Sequence, residues 1–259
     1  MYFKDPVLKR KFKLVQLADI IINDMHVKRN DIVMVHISLG NIKLIDSTPE
    51  DLIFLLKMIV GTGGTLLMPT YLINDSRDPN SASTFDIRSA FISYDPIVEL
   101  FRQMPDTFQS CSPAESFAAW GGMAKNISEY HYKSENETFR DNLFYKLCQL
   151  KAKIIGIGIR VTDDSFLHSI SKTNYKASTD RYSEVIKREG INTSRDPVTG
   201  IFQDDLPDIL KSESPDKISK HFKPDELKVF QKKGIPFFRV NAEKAYNKIL
   251  SFSKRGNIA

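Results

Sequence analysis

Short apolar runs alternate with helically spaced apolar positions over the first two thirds of the chain. The alternation predicts successive strand–helix–strand units. Residues 7–25, VLKRKFKLVQLADIIINDM, carry apolar residues at helical spacing and predict an amphipathic helix. Asp31 to His36 reads as a strand that ends in Ile37-Ser38-Leu39-Gly40. Thr48-Pro49-Glu50-Asp51 opens a helix, with Thr48 as N-cap, Pro49 in the first turn and Asp51 as the acid of a near capping box. The helix stops near Val60 at Gly61-Thr62-Gly63-Gly64, where a glycine C-cap is expected. Thr65 to Pro69 is the next strand, which completes a βαβ unit. Further along, residues 95–103 predict a helix, 116–125 a helix begun at a serine, 143–150 a short helix and 153–159 a buried strand. Beyond residue 170 the pattern weakens, leaving a strand at 237–240 and a last helix at 241–253 with Asn241 as N-cap.

These elements predict an α/β fold with a mostly parallel central sheet flanked by helices. A single domain over residues 1–259 is expected, with 171–259 as a variable C-terminal part. Residues 74–90 form a long polar segment of the kind that usually serves function.

Charge adds one consideration. Lys and Arg number 37 against 32 Asp and Glu, for a net charge of +5. That excess fits solubility alone, and it also fits attraction to a phosphorylated ligand. The basic residues are scattered with no nucleic-acid-binding motif among them, so no nucleic-acid partner is expected. No apolar run approaches the roughly 20 residues that span a bilayer, and no membrane partner is expected. The basic N-terminus lacks the apolar core of a secretory signal. The two cysteines, Cys111 and Cys148, make no disulfide or metal framework, so a cytoplasmic, reduced protein is expected. A homo-oligomer is left open.

Candidate chemistry concentrates at two strand ends. The run Ile154-Ile155-Gly156-Ile157-Gly158-Ile159 breaks into Thr162-Asp163-Asp164-Ser165 and then delivers His168. Open α/β sheets place their ligands outside the carboxyl ends of the strands, and histidine titrates near neutral pH. Ser38, with Leu39 and Gly40, lies just past another strand, where hydroxyl and backbone amides can bind a phosphate or an amide; an ordinary strand-to-loop turn is the plainer reading. His36 sits inside an apolar strand, where a buried histidine satisfied within the core is the plainer reading. The Gly61–Gly64 segment lacks the Lys-Ser/Thr ending of a Walker loop. No metal-ligand spacing, activated thiol or Gly-x-Ser-x-Gly elbow is present, and no metal is expected.

Five segments in order resemble the aminoglycoside 3-N-acetyltransferase family: Val35–Gly40, Val60–Tyr71, Thr84-Phe85-Asp86, Gln109–Gly121, and Gly156-Ile157-Gly158 through Ser165–His168. The resemblance implies an α/β enzyme that uses acetyl-CoA or another acyl-CoA as co-substrate to acylate an amine. It implies His168 as general base and Ser165 at the family's motif threonine. It sets His36, Ser38, Leu39, Gly40 and Ser110 on the coenzyme side. Two departures stand out. Gln109-Ser110-Cys111-Ser112-Pro113 replaces the family's Arg-Ser-x-His-Pro, and Ser171 replaces a motif glutamate. Asp86, Asp163 and Glu115 are candidates to replace that acid, and Asp86 is the one assigned to catalysis.

The expectation is therefore a CoA-dependent N-acyltransferase acting on the amino group of an amino sugar, one that carries a phosphate or nucleotide. The alternatives are an aminoglycoside-modifying resistance enzyme and a non-catalytic ligand-binding relative.

Overall fold

The computed structural model describes residues 11–38, 45–70, 83–86, 96–110, 116–133, 143–161, 167, 185–191, 197–203 and 220–253. Helix α1 (Leu14–Asp19) continues into a π-helical turn over Ile20–Asp24. It is followed by β1 (Ile32–Ile37), α2 (Pro49–Val60) and β2 (Thr65–Pro69). Then come β3 (Ser83–Asp86), α3 (Pro96–Gln103), β4 (Thr107–Gln109) and β5 (Phe117–Gly121). Helices α4 (Ala124–Lys133) and α5 (Leu143–Gln149) precede β6 (Lys153–Ile157). The chain closes with β7 (Val185–Ile191), β8 (Pro197–Gln203), β9 (Leu227–Lys232), β10 (Ile235–Asn241) and α6 (Ala242–Ser253).

Seven strands form the main sheet in the order β4-β5-β2-β1-β6-β10-β9, and β3-β7-β8 form a smaller one. β2, β1 and β6 pair in parallel, while the outer neighbours pair antiparallel. Strand direction is nonetheless mostly shared: β1, β2, β4, β6 and β9 run one way, and β5 and β10 run against them. The α/β class and the flanking helices are as the sequence predicts. The C-terminal strands β9 and β10 extend the main sheet rather than standing apart from it.

Period-two alternation divides the core between the two faces of the sheet. Val33, Val35 and Ile37 of β1 join Ile155 and Ile157 of β6 in one cluster, covered by α1, α2 and α3. Met34, Ile154 and Phe238 join the other, covered by α4, α5 and α6. Both faces being buried explains why β1 and β6 read as unbroken apolar runs.

Local signals set most boundaries. Thr48 Oγ1 accepts from the Asp51 amide, and the Asp51 carboxylate accepts from the Thr48 amide at 3.2 Å, so the capping box forms as predicted. Gly61, at φ +68°, donates its amide to the Lys57 carbonyl at 2.8 Å and ends α2. Asn241 Oδ1 accepts from the Lys244 amide, which makes it the N-cap of α6. One expectation is overturned. Residues 117–121 form strand β5, not the first turns of a helix begun at Ser116, and α4 starts at Ala124. The Ser116 hydroxyl bonds the Thr70 carbonyl across the sheet at 2.6 Å rather than capping its own segment.

At the lower edge, Lys153 reaches Asp31 at 2.5 Å and the His26 carbonyl at 2.6 Å, which fixes the starts of β1 and β6 side by side. Higher up, a Cβ on Gly156 would lie 2.0 Å from Cε1 of the fully buried Phe238 ring. Gly156→Ala is therefore expected to destabilise the fold by about 1–3 kcal/mol through overpacking. The measurement is the urea midpoint. Adding Phe238→Leu should recover part of the loss, and an unchanged midpoint in Gly156→Ala would contradict the close packing.

Candidate active site at the carboxyl ends of the strands

Strand polarity and register bring the carboxyl ends of β1 and β6 side by side at one end of the main sheet. β1 is followed by a connection to β2 on one side, while β6 leads toward β10 and β9 on the other, so β1 and β6 flank a switch point. The Ser38 amide, one residue beyond β1, donates to the Ile157 carbonyl at 3.3 Å. The Gly158 amide, one residue beyond β6, donates to the Pro236 carbonyl at 2.9 Å. Ser38 and Gly158 thus stand next to each other, although they are far apart in sequence.

His36 is 3% exposed and pairs in register with Gly156, which pairs in turn with Phe238. The Phe238 ring covers the gap that Gly156 leaves beside His36. The burial of His36 is the one the apolar strand predicted. Leu167 is buried in the same cluster as Phe238 and Met34. That contact ties the chain immediately before His168 to the face of the sheet that His36 occupies. Leu39, Gly40, Ser165 and His168 lie outside the described residues, as do Asp163, Glu115 and Ser171. Of Asp86 only the backbone is described, at the end of β3 in register with Ile191.

Ser110 is fully buried, and its hydroxyl accepts from the Phe117 amide at 2.9 Å while its own amide donates to the Phe117 carbonyl. The described geometry therefore gives Ser110 a clear structural role: it joins the end of β4 to the start of β5.

Next to it lies a polar network that the sequence did not announce. Ser116 Oγ donates to the Thr70 carbonyl, Thr70 Oγ1 donates to Ser116 Oγ at 2.8 Å, and Gln109 Nε2 donates to Thr70 Oγ1 at 2.8 Å. Each hydroxyl has one proton, so the direction of the chain is fixed from Gln109 to the backbone. Thr70, Ser110 and Ser116 are all buried, and the network locks the ends of β2 and β4 to the start of β5. Its members are 39 and 46 residues apart in sequence, so no local spacing could have revealed it. The groups are neutral hydroxyls and an amide.

Charged groups with displaced pKa values lie elsewhere. Lys232 and Lys228 hold the Asp24 carboxyl below its usual range at the outer edge of the sheet. Burial lowers Lys57, whose ammonium lies 4.9 Å from the Trp120 ring centre. Burial likewise lowers Arg239, whose guanidinium donates to the Pro224 and Asp225 carbonyls.

Among the described residues no group of three or more His, Cys, Asp or Glu side chains could hold a metal ion. None of their helices is long and apolar enough to cross a membrane.

Residues 34–234 match the family model described as aminoglycoside 3-N-acetyltransferase. Solved structures of such enzymes share the fold. Aminoglycoside acetyltransferase AAC(3)-Xa superposes with a TM-score of 0.74 at 16% identity, covering 95% of each chain. The binary complex of AAC-IIIb with CoASH gives 0.70 at 18% identity, covering 94% of this chain and 97% of that one. AAC-VIa bound to sisomicin gives 0.68 at 18% identity, covering 96% and 100%.

Cys148 is not part of the candidate chemistry. Burial, with Glu243 nearby, pushes its thiol up to about 12, and the sulfur lies 3.4 Å from the Ala242 carbonyl. Thiol labelling at pH 8 followed by peptide mapping should find Cys148 unmodified in the folded protein and modified in urea. Rapid native labelling of Cys148 would contradict this burial.

Proposed function

The chain belongs to the aminoglycoside 3-N-acetyltransferase family, and from that premise we propose that it moves an acyl group from acyl-CoA to the amino group of an amino sugar. The family makes it an N-acyltransferase that uses CoA; the acceptor and the residue roles are our reading. The observation that carries the reading is the junction at the switch point. There the Ser38 amide bonds Ile157 and Leu167 is buried in the adjoining core, so two motif segments far apart in sequence share one end of the sheet.

In the proposed reaction the neutral amine attacks the thioester carbonyl. The carbon–nitrogen bond forms as the carbon–sulfur bond breaks, and CoA leaves as thiolate. His168 takes the proton from the attacking nitrogen and can return it to the leaving sulfur, a contribution of about 10²–10⁴-fold. Backbone amides, with the hydroxyl of Ser165 or Ser38, hold the carbonyl oxygen as it gains charge. Asp86 is assigned to steady the imidazolium in place of the motif glutamate that is Ser171 here. No metal enters this route.

For the acceptor we favour an amino sugar that carries a phosphate or nucleotide. Two observations support it. The buried polar side chains described at the carboxyl ends of β2 and β4 are neutral, and the chain carries a net charge of +5. A polycation meeting only the neutral polar groups described there would lose hydration and gain little. A diphosphate would be drawn in at long range, an effect that salt weakens.

His168→Gln should leave acetyl-CoA affinity within about twofold while lowering kcat about 10²-fold or more. Calorimetry and CoA-release kinetics check this; full activity in the variant would remove His168 from the mechanism. The second measurement compares kcat/KM for a nucleotide-linked amino sugar and for gentamicin at two ionic strengths. The expected result is faster turnover of the nucleotide-linked acceptor, with the advantage shrinking as salt rises. Efficient acetylation of gentamicin would instead identify an aminoglycoside-modifying enzyme, and CoA binding without turnover of any amine would favour a non-catalytic relative.

A further inference from the structure

The two helical layers that cover the main sheet differ in what they show to solvent. Among the described residues, the layer of α4, α5 and α6 exposes no large apolar side chain, whereas the layer of α1, α2 and α3 exposes four. Phe54 is 55% exposed and Met58 69%, both on α2. Val15, at 71%, lies on α1, which packs against α2; Ile22, at 45%, lies in the π-helical turn that continues α1. Single exposed apolar residues are ordinary on a protein surface. Four of them on two adjoining helices of one layer make a face suited to association.

Helix α2 is apolar on two sides. Leu52, Ile53, Leu55, Leu56 and Val60 are buried toward the sheet. Phe54 and Met58 stand one turn apart on the outer side and share one stripe. Asp51 and Gly61 extend that stripe, and the run 51, 54, 58, 61 has the alternating three-and-four spacing of a helix–helix seam.

Charges of opposite sign mark the two ends of the stripe. Glu50 and Asp51 are exposed at the amino end. Arg29 is exposed at the carboxyl end, where its Cζ lies 3.3 Å from the position a Cβ on Gly61 would take. The next residue anchors it there, because the Asn30 amide donates to the Val60 carbonyl at 2.8 Å. Lys57 adds no charge to the stripe, since its ammonium turns inward to lie 4.9 Å from the Trp120 ring centre. From the rise of an α-helix, both charged ends lie about 8 Å from the midpoint between Phe54 and Met58. A second α2 laid antiparallel across that midpoint sets Phe54 on Met58 of the second copy, and Arg29 beside Glu50 and Asp51 of the second copy. A parallel second copy would set like charges together.

We propose that this face joins two copies of the chain about a twofold axis, with α2 antiparallel to α2. Phe54 and Met58 form the centre of the contact, and pairs between Arg29 and Glu50 close both ends. Removal of the apolar stripe from water drives the association, and the charges fix its direction.

The test is sedimentation of the full-length chain over a range of concentrations. The wild type is expected to reach twice the chain mass at about 100 μM, and Met58→Glu to keep the chain mass there, because a twofold contact would bury two unpaired carboxylates. Phe54→Ser, the milder variant, should weaken the dimer in the same direction. Glu50→Arg and Arg29→Glu should each weaken it about 10-fold, since a twofold axis counts each change twice. The double variant Glu50→Arg/Arg29→Glu should regain most of the lost affinity, a recovery that damage to the fold would not give. Circular dichroism checks that each variant keeps the wild-type fold. A wild type that stays monomeric at about 100 μM overturns the proposal. Dimerisation of Met58→Glu and Phe54→Ser as tight as that of the wild type also overturns it. If those two variants dissociate but the double charge variant does not recover, the antiparallel arrangement is overturned.

Discussion

Everything at the candidate site depends on the parallel pairing of β1 with β6. These strands are consecutive in the sheet but separated by more than a hundred residues of chain, and both of their faces are buried. Their register sets His36 opposite Gly156 and carries Ser38 to Ile157. A one-residue slip would exchange the two faces of every side chain. His36 would then leave its cluster, and Val35 and Ile37 would leave theirs. The Lys153–Asp31 pair at one end and the Phe238 ring over Gly156 higher up both oppose such a slip.

What the sequence made legible was what local chemistry decides. Thr48 and Asp51 make their capping box within one turn, and Gly61 and Asn241 terminate or start helices through bonds three or four residues long. The apolar runs of β1, β2 and β6 stood out because burial on both faces leaves no polar positions in them. Residues 116–121 were misread for a physical reason. A serine before Phe-Ala-Ala resembles an N-cap before good helix formers, but the Ser116 hydroxyl is engaged by Thr70, 46 residues away, and Ala118 and Ala119 pair with Met68 and Leu67 of β2. Tertiary pairing overrode local propensity there. The same distance in sequence hid the Gln109–Thr70–Ser116 network. Ser110 was legible as a site position only through the family resemblance; its observed bonds serve the β4–β5 junction.

The candidate site is split in what the structure describes. His36, Ser38 and Ser110, which the family resemblance sets on the coenzyme side, stand at or near strand ends, and His36 and Ser110 are buried. The catalytic assignments to His168 and Ser165 rest on the family resemblance, supported by the burial of Leu167 immediately before the histidine. The fold supplies a rigid base, because parallel strands covered on both faces give their carboxyl ends little freedom to move.

The central claim is that acyl-CoA is bound where β1 and β6 end. Methyl-labelled protein titrated with acetyl-CoA tests it most directly, because isoleucine, leucine and valine methyl groups mark both ends of these strands. The account predicts large, saturable shifts at Ile37, Ile157 and Leu167 and small ones at Ile32 and Val60, near the opposite end. Shifts concentrated at Ile32 and Val60, or no saturable shift at any methyl group, would contradict it.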